Sequence, residues 1–413
     1  MTFSSLGLSQ DLLEAVKYAG YETPTSVQEK AIPLILKGQD LIAQARTGTG
    51  KTASFALPVL QLLQNSVGGN KKVIKALVLA PTRELAMQVE YAFKAYGRLL
   101  TKPLRTITLI GGLNIDLQIR HLHHGADIAV ATPGRLLDLV KRGAVDLSAL
   151  NILVVDEADK MFDLGFAEEL EAVLKALPSR RQNLLFSATI PEELIAMAHA
   201  FMKMPVHIKE EEGAPTAERI QQRAIEVNRN NRGPLLRHLI QTEQWEQVLI
   251  FVSSIQDADV LVAKLMKAGI GARAFHGALT QTQRIQVLKD FKSKNCKVLV
   301  STDLAARGID IDKLPVVVNY DLPRSPNDYI HRIGRTARAG AMGVAISFIG
   351  HEDQSHFSLI EKRAHVRLPR ENIHGFELTG EPLPQTKGKP PVKGHRMSKK
   401  DKARAQAVKI SSG

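Results

Sequence analysis

Asp40–Leu63 reads DLIAQARTGTGKTASFALPVLQLL. A short apolar run leads into a glycine-rich turn, and the turn leads into a longer segment suited to a helix. That succession opens a β-α-β unit, and such units build parallel sheets. Inside it lies Ala45–Thr52, ARTGTGKT. Gly48 and Gly50 let the backbone wrap an anion. The loop amides of Ala45, Arg46, Thr47, Gly48, Thr49 and Gly50, with the helix N-terminus behind them, supply positive potential for a phosphate chain. Lys51 is placed to reach the β- and γ-phosphates, and Thr52 to hold Mg²⁺. The first position of the usual GxxxxGK[ST] pattern is Ala45 here, so small size is what that position requires.

The same alternation continues outward. Short apolar runs recur at KALVLAP, TITLIGG, DIAVATP, NILVVDEAD and NLLFSAT, with amphipathic segments between them. Lys209–Arg219, KEEEGAPTAER, is charged and has no periodic apolar face, as a linker would. Beyond it the pattern resumes at QVLIFVSS, ARAFHG, KVLVSTD, PVVVNYDLP and GVAISFIG. Two α/β parallel-sheet domains in tandem are therefore expected, spanning 30–208 and 220–379. A segment of residues 1–29 precedes them, 209–219 links them, and a tail of 380–413 follows. Taking QVLIFVSS as the counterpart of DLIAQA, the second domain has SSIQDADVLVAKL where the first has its phosphate loop, so one nucleotide site is expected.

Composition bounds the rest. The chain has 413 residues, 44% of them hydrophobic, enough for two cores. Its one cysteine, Cys296, excludes an intrachain disulfide and a Cys-based metal site. The N-terminus lacks a signal-peptide pattern and no apolar run is long enough to span a bilayer, so a cytoplasmic protein without membrane contact is expected. The net charge of +13 fits a polyanionic partner. From Gly380 onward nine Lys/Arg face two Asp/Glu, a net of +7. That tail has almost no large apolar residues, so it is expected to be disordered and to act as a basic nucleic-acid arm.

NILVVDEAD ends an apolar strand in Asp156, Glu157 and Asp159. In a parallel sheet the ligand crevice lies at the strands' carboxyl ends. Asp156 is the candidate to hold Mg²⁺, and Glu157 the candidate base for an attacking water. HRIGRTARAG, His331–Gly340, carries Arg332, Arg335 and Arg338 with no acid among them, and His331, Arg335 and Arg338 share one helical face. His121 and His124, in HLHH, also share a face, but no further ligand cluster accompanies them, so a structural role is expected.

These segments together resemble the DEAD-box ATP-dependent RNA helicases over about residues 1–375. The resemblance is carried by ARTGTGKT, DEAD, PTREL (Pro81–Leu85), Gly111–Gly112 and TPGR (Thr132–Arg135). It continues through SAT (Ser187–Thr189), STDLAARGID (Ser301–Asp310) and HRIGRTARAG. The segment spacing is similar to bacterial RhlE-like members. The resemblance implies two tandem RecA-like domains that close over ATP and RNA. GYETPTSVQ, Gly20–Gln28, resembles the family's adenine-reading motif. It implies that Gln28 reads the adenine edge and Tyr21 stacks on the ring, with Phe3 nearby. Asp310 matches the ribose contact. Thr82, Arg83, Gly112, Thr132, Gly134 and Arg135, with Gln281, Arg284 and Thr302 in the second domain, match RNA backbone contacts. Such contacts are sequence-tolerant and salt-sensitive. Asp159, Ser187, Thr189, Asp303 and His331 match coupling positions, and Arg335 and Arg338 match arginine fingers.

The resemblance thus implies an enzyme that binds ATP, Mg²⁺ and structured or duplex RNA, and separates short duplexes or remodels RNA–protein complexes. Ribosomal precursors and RNA-decay machinery are the expected partners. An ATP-gated RNA clamp without strand separation uses the same residues and is the alternative; a DNA helicase is a third reading.

Overall fold

The structure is a computed structural model and describes residues 1–45, 48–65, 73–210, 220–306, 311, 314–336 and 342–380. Two seven-stranded sheets form it. The first contains β1 (Leu41–Gln44), β2 (Ala76–Leu79), β3 (Thr106–Leu109), β4 (Ile128–Ala131), β5 (Ile152–Val155), β6 (Gln182–Ser187) and β7 (Val206–Lys209). The second contains β8 (Ile220–Glu226), β9 (Val248–Val252), β10 (Ala272–Phe275), β11 (Val298–Thr302), β12 (Val316–Asn319), β13 (Gly343–Ile349) and β14 (Arg370–Glu371).

The first sheet runs β3-β4-β2-β5-β6-β1-β7 and the second β10-β11-β9-β12-β13-β8-β14. Position for position, the two orders match. Every strand pairing described is parallel. Parallel sheets are covered on both faces, and most of their inner strands are accordingly rich in apolar residues. Every residue of β2, β4, β5, β9 and β12 is buried. Alternate residues feed opposite faces: Ala76 and Val78 enter one core, Leu77 and Leu79 the other.

All the strands named from the sequence are present. Three more were not anticipated: β7, β8 and β14. β7 is a short edge strand, VHIK, and its last residue, Lys209, falls in the stretch read as linker. β8 is IQQRAIE, too polar for the apolar-run rule, yet it lies inside the sheet. Its place corrects the domain comparison. The counterpart of β1 is β8, and QVLIFVSS (β9) is the counterpart of β2. The conclusion survives, because β8 runs into VNRNNRGP, which also lacks a Gly-Lys-Thr.

Residues 1–29 pack on the first domain. Phe3, Leu6, Leu12, Val16 and Val27 share a core with β1 and the helix Lys51–Asn65. The helix Ser26–Leu36 crosses the expected boundary at residue 29. At the far end, Ile373 and Phe376 pack on the second core. Most of the linker and the tail beyond Gly380 lie outside the described residues. Among those described, no helix is long and apolar enough to cross a membrane.

Phe186, on β6, is fully buried and stands 5.2 Å from the Phe55 ring, one residue before Ser187. Phe186→Ala should lower the stability of the first domain by about 3–5 kcal/mol, read as a lower midpoint in chemical denaturation.

Candidate active site

Parallel strands bring their carboxyl ends to one edge of each sheet, and the strand order divides that edge in two. The phosphate loop follows β1, the DEAD segment follows β5 and the SAT segment ends β6, all neighbours on one half. Thr82 and Arg83 follow β2, Gly112 follows β3 and Thr132 follows β4, on the other half. One edge therefore carries a candidate nucleotide half and a candidate RNA half.

In the phosphate loop Gly48 and Gly50 have φ of 84° and 87°, which glycine adopts without strain. A Cβ on Gly50 would strike the Gln28 side chain. Lys51 begins the helix Lys51–Asn65 and is 6% exposed. Its Nζ has no hydrogen-bond partner among the described residues. An ammonium is rarely buried without an acceptor. Asp156, after β5, is 2% exposed. Burial pushes its carboxyl up to about 7 against the pull of Lys51, and Glu157 adds to the rise. Glu157 sits at φ 47°, ψ 51°, a left-handed conformation costly for a residue with a Cβ. Its amide donates to Asp156 Oδ1 at 2.9 Å, which fixes the bend between the two acids. Thr52 lies half-buried at the start of the same helix as Lys51, and Ala45 is buried with its amide on the Ser187 carbonyl. Arg46, Thr47, Asp310 and Arg338 lie outside the described residues.

Gln28 is 3% exposed, and both ends of its amide are engaged. Oε1 accepts from the Thr25 amide at 2.9 Å, closing a capping box, and Nε2 donates to the Gly50 carbonyl at 3.2 Å. Thr25 Oγ1 donates to the Thr49 carbonyl at 2.7 Å. These two residues clamp the phosphate loop. One N–H and one lone pair of the Gln28 amide remain beyond those bonds for an adenine edge. Tyr21 is 40% exposed, stacks at 6.4 Å on Phe3, and meets the Tyr96 hydroxyl at 3.0 Å. Thr25 was missed in the sequence, although its N-capping pattern with Gln28 was there to read.

The SAT and DEAD segments are tied together. Asp159 Oδ2 accepts from the Thr189 amide at 3.1 Å and its hydroxyl at 2.9 Å. Ser187 Oγ accepts from the Asp159 amide at 3.1 Å and donates to the Thr189 carbonyl at 2.6 Å. Burial raises the Asp159 carboxyl, but the Lys160 charge, the Thr189 bonds, the Lys51 charge and the Ser187 bond together hold it below its usual range.

On the RNA half, Thr82 caps the helix Arg83–Tyr96 through the Leu85 amide, and Thr132 caps the helix Pro133–Lys141 by backbone position. Gly112 has φ 78°, and a Cβ there would strike Arg83. Arg135 donates to the Leu113 carbonyl at 3.1 Å. Burial lowers its pKa against the pull of Asp138, and the charges of Arg83 and Arg142 lower it further. Around Gly134 the space is open.

Among the described residues, contacts between the domains include one set on each half. On the RNA half, Glu84 is 4% and Gln281 2% exposed. Arg284 Nε donates to Glu84 Oε1 at 2.7 Å and Gln281 Nε2 to the same oxygen at 3.2 Å, while Arg83 reaches Gln281 Oε1 at 3.5 Å. Arg284 also lies over the Phe275 ring at 4.5 Å. Gln281 and Arg284 therefore face the first domain, and Thr302 stands half-buried at the end of β11. Glu84 lies inside the quoted PTREL but was not singled out. On the nucleotide half, Lys160 Nζ is 3.1 Å from His331 Nε2.

Arg332, left without a role by the sequence, is a brace. It is 3% exposed, bonds both Asp303 oxygens at 2.5 and 2.7 Å, reaches Asn319 Oδ1 at 3.0 Å and lies 4.7 Å over the Phe251 ring. It locks the STD segment to the helix Pro326–Ile333 that carries His331. Arg335 follows in the turn after that helix, its amide on the Arg332 carbonyl at 3.1 Å. His121 and His124 are exposed at the end of the helix Ile115–His123, and no group of three metal-ligating residues occurs among the described residues.

Burial pulls the His331 imidazole down to about 4, and Lys160 adds to the drop. The unfolded chain protonates near 6.5. Between those values the unfolded state binds the extra proton, so this residue withdraws stability as pH falls from about 6.5 to about 4 and contributes nothing above that window. Denaturation midpoints of His331→Gln should therefore depend less on pH in that window than those of the unaltered protein.

Residues 25–197 match the DEAD/DEAH box helicase family model, and 232–340 match the helicase conserved C-terminal domain. The DEAD-box ATP-dependent RNA helicase CshA of Streptococcus pneumoniae is 42% identical over 368 residues, covering 89% of this chain and 69% of the relative. CshA of Geobacillus kaustophilus is 39% identical, covering 89% and 78%. The likeness to RhlE-like members rests on segment spacing alone. Among solved structures, S. cerevisiae Dbp5 bound to RNA and ADP BeF3 matches with TM-score 0.78 and 32% identity over 90% of this chain and 95% of that one. Mss116p bound to ssRNA and AMP-PNP matches with TM-score 0.81 and 28% identity over 91% and 80%. With both halves of the site on one edge of each sheet and both family models matched in order, the chain belongs to the DEAD-box family of ATP-dependent RNA helicases.

Proposed function

We propose that this chain hydrolyses ATP between its two domains and uses their closure to separate short RNA duplexes or remodel RNA–protein complexes. One observation carries the reading: the Lys51 ammonium is buried beside Asp156, at the N-terminus of a helix, with no acceptor among the described residues. A triphosphate supplies that acceptor, and the loop amides and helix dipole add to the attraction.

The donor set also fits Mg²⁺. Asp156 is a buried carboxylate whose ionised form burial disfavours, so a cation beside it is favoured, and Thr52 stands at the start of the helix with a hydroxyl to offer. These two would hold the ion, in part through water; when bound, it would neutralise charge on the β- and γ-phosphates.

The protein groups divide the work. Lys51 binds the phosphates, and Gln28 and Thr25 keep their loop in shape. Glu157, fixed by its bond to Asp156, orients a water and takes its proton. Arg335 comes from the opposite domain and reaches developing charge only when the domains meet. Asp159, Ser187 and Thr189 join the nucleotide half to the rest of the first domain. Arg83, Gly112, Gly134 and Arg135 take the RNA backbone, with Thr302 across the cleft. Contacts to sugar and phosphate tolerate any sequence.

Lys51→Ala should abolish RNA-stimulated ATP turnover, and normal turnover in that variant would overturn the phosphate-loop assignment. Glu157→Gln should retain ATP binding and lower kcat by about 10²-fold or more; it should also fail to release the strand of a short duplex under multiple turnover. ATP-dependent RNA binding by the unaltered protein with no strand release would make it a clamp.

A further inference from the structure

The DEAD segment reaches the second domain through a residue outside the four-letter motif. The Asp159 carboxylate is used inside the first domain: Thr189 takes Oδ2 and the Lys160 amide takes Oδ1 at 3.1 Å. The next side chain, Lys160, crosses the cleft. It is 13% exposed, its Nζ 3.1 Å from His331 Nε2 and 3.2 Å from Asp163 Oδ2.

We propose that Lys160 is a positioning residue for the ATPase: it docks His331 when the domains meet and thereby sets the turn that presents Arg335. The proposal rests on the ATPase reading given above. An ammonium has donors only, so His331 Nε2 must accept and the ring proton sits on Nδ1. A second tautomer, or an imidazolium, cannot make this contact. His331 is rigidly joined to Arg335. The Gly334 amide bonds the Ile330 carbonyl at 2.9 Å, the Arg335 amide bonds the Arg332 carbonyl at 3.1 Å, and the Leu314 amide bonds the Arg335 carbonyl at 3.2 Å. A restraint on the imidazole is thus passed within one turn to the arginine.

The choice of lysine also fits a contact that is made and broken. Burying an ammonium against one neutral acceptor and one half-exposed carboxylate is a poor way to glue a permanent interface, where an apolar side chain of that length does as well or better. When the domains part, Lys160 returns to water at little cost.

The test uses the full chain. RNA-stimulated ATP turnover is measured from about pH 5 to about pH 9 for Lys160→Met, Lys160→Arg and Lys160→Glu, with Lys175→Met as control. Lys175 is exposed and pairs with Glu171, 2.7 Å away on its own helix, so its loss should leave turnover unchanged. Lys160→Met should lower kcat at least about tenfold, the cost of a misplaced arginine, with little change in KM for ATP. Lys160→Arg should recover much of that loss.

Lys160→Glu turns the contact round, because a carboxylate prefers the imidazolium. The charged groups facing His331 are Lys160 and Asp159 from the first domain and Arg335 and Asp328 from its own. An acid at 160 raises the imidazole's pKa and docks its protonated form, so kcat of Lys160→Glu relative to Lys160→Met should rise as pH falls toward about 5. Wild-type kcat and pH profile in Lys160→Met would overturn the proposal. So would a loss of rate that follows a lowered unfolding midpoint while the ratio of Lys160→Glu to Lys160→Met stays flat with pH, since that is the signature of a structural residue. A wild-type protein with no RNA-stimulated turnover would overturn the ATPase reading itself, a different result.

Discussion

An ammonium sealed from water with nothing to donate to is costly, and Lys51, beside Asp156, has no acceptor among the described residues. The local structure is organised to keep it there. Gly48 and Gly50 take left-handed conformations that bend the loop ahead of Lys51. Thr25 and Gln28 clamp the loop from the N-terminal segment, and that segment is in turn held by Phe3, Leu12 and Val16 in the first core. On the other side Glu157 takes a strained left-handed backbone, and its amide bonds the Asp156 carboxylate. Burial that would be a defect in a structural domain becomes affinity once a polyanion supplies the acceptor.

The second domain completes what the first leaves unfinished. It has the same strand order and no phosphate loop, so its carboxyl edge is free for other work. That edge is braced from within by Arg332, which ties Asp303 to the helix carrying His331. The contacts across the cleft are polar at both ends: Glu84 with Gln281 and Arg284 on one half, Lys160 with His331 on the other. Polar contacts of this kind are satisfied by water when apart, so they suit domains that separate and rejoin in each cycle better than an apolar seam would.

Much of this was legible from residue order. Buried parallel strands announce themselves as apolar runs, which is why β2, β4, β5, β9 and β12 were plain. β8 was not, because IQQRAIE lacks an apolar run, and missing it shifted the match between the two domains by one strand. β7 and β14 are edge strands of four and two residues, too short for any period to show. Among site residues, Lys51, Asp156 and Glu157 were readable because chemistry demands those groups at those spacings. Glu84, Lys160 and Arg332 were not, because their partners lie far along the chain.

The amino-acid order by itself determined two parallel-sheet domains, one phosphate loop and an acidic strand end, since each is a local pattern of residue type and spacing; the helical face expected of His331, Arg335 and Arg338 was not met, because the helix ends at Ile333 and Arg335 lies in the turn beyond it. Tertiary structure alone decided which side chains are spent on the protein and which face the cleft. Asp159 and Arg332 turn inward, Gln28 grips a loop 22 residues away, and a lysine just past the DEAD motif meets a histidine 171 residues later. Those outcomes depend on burial and on distances through space, which follow from how two sheets pack and not from any spacing along the chain.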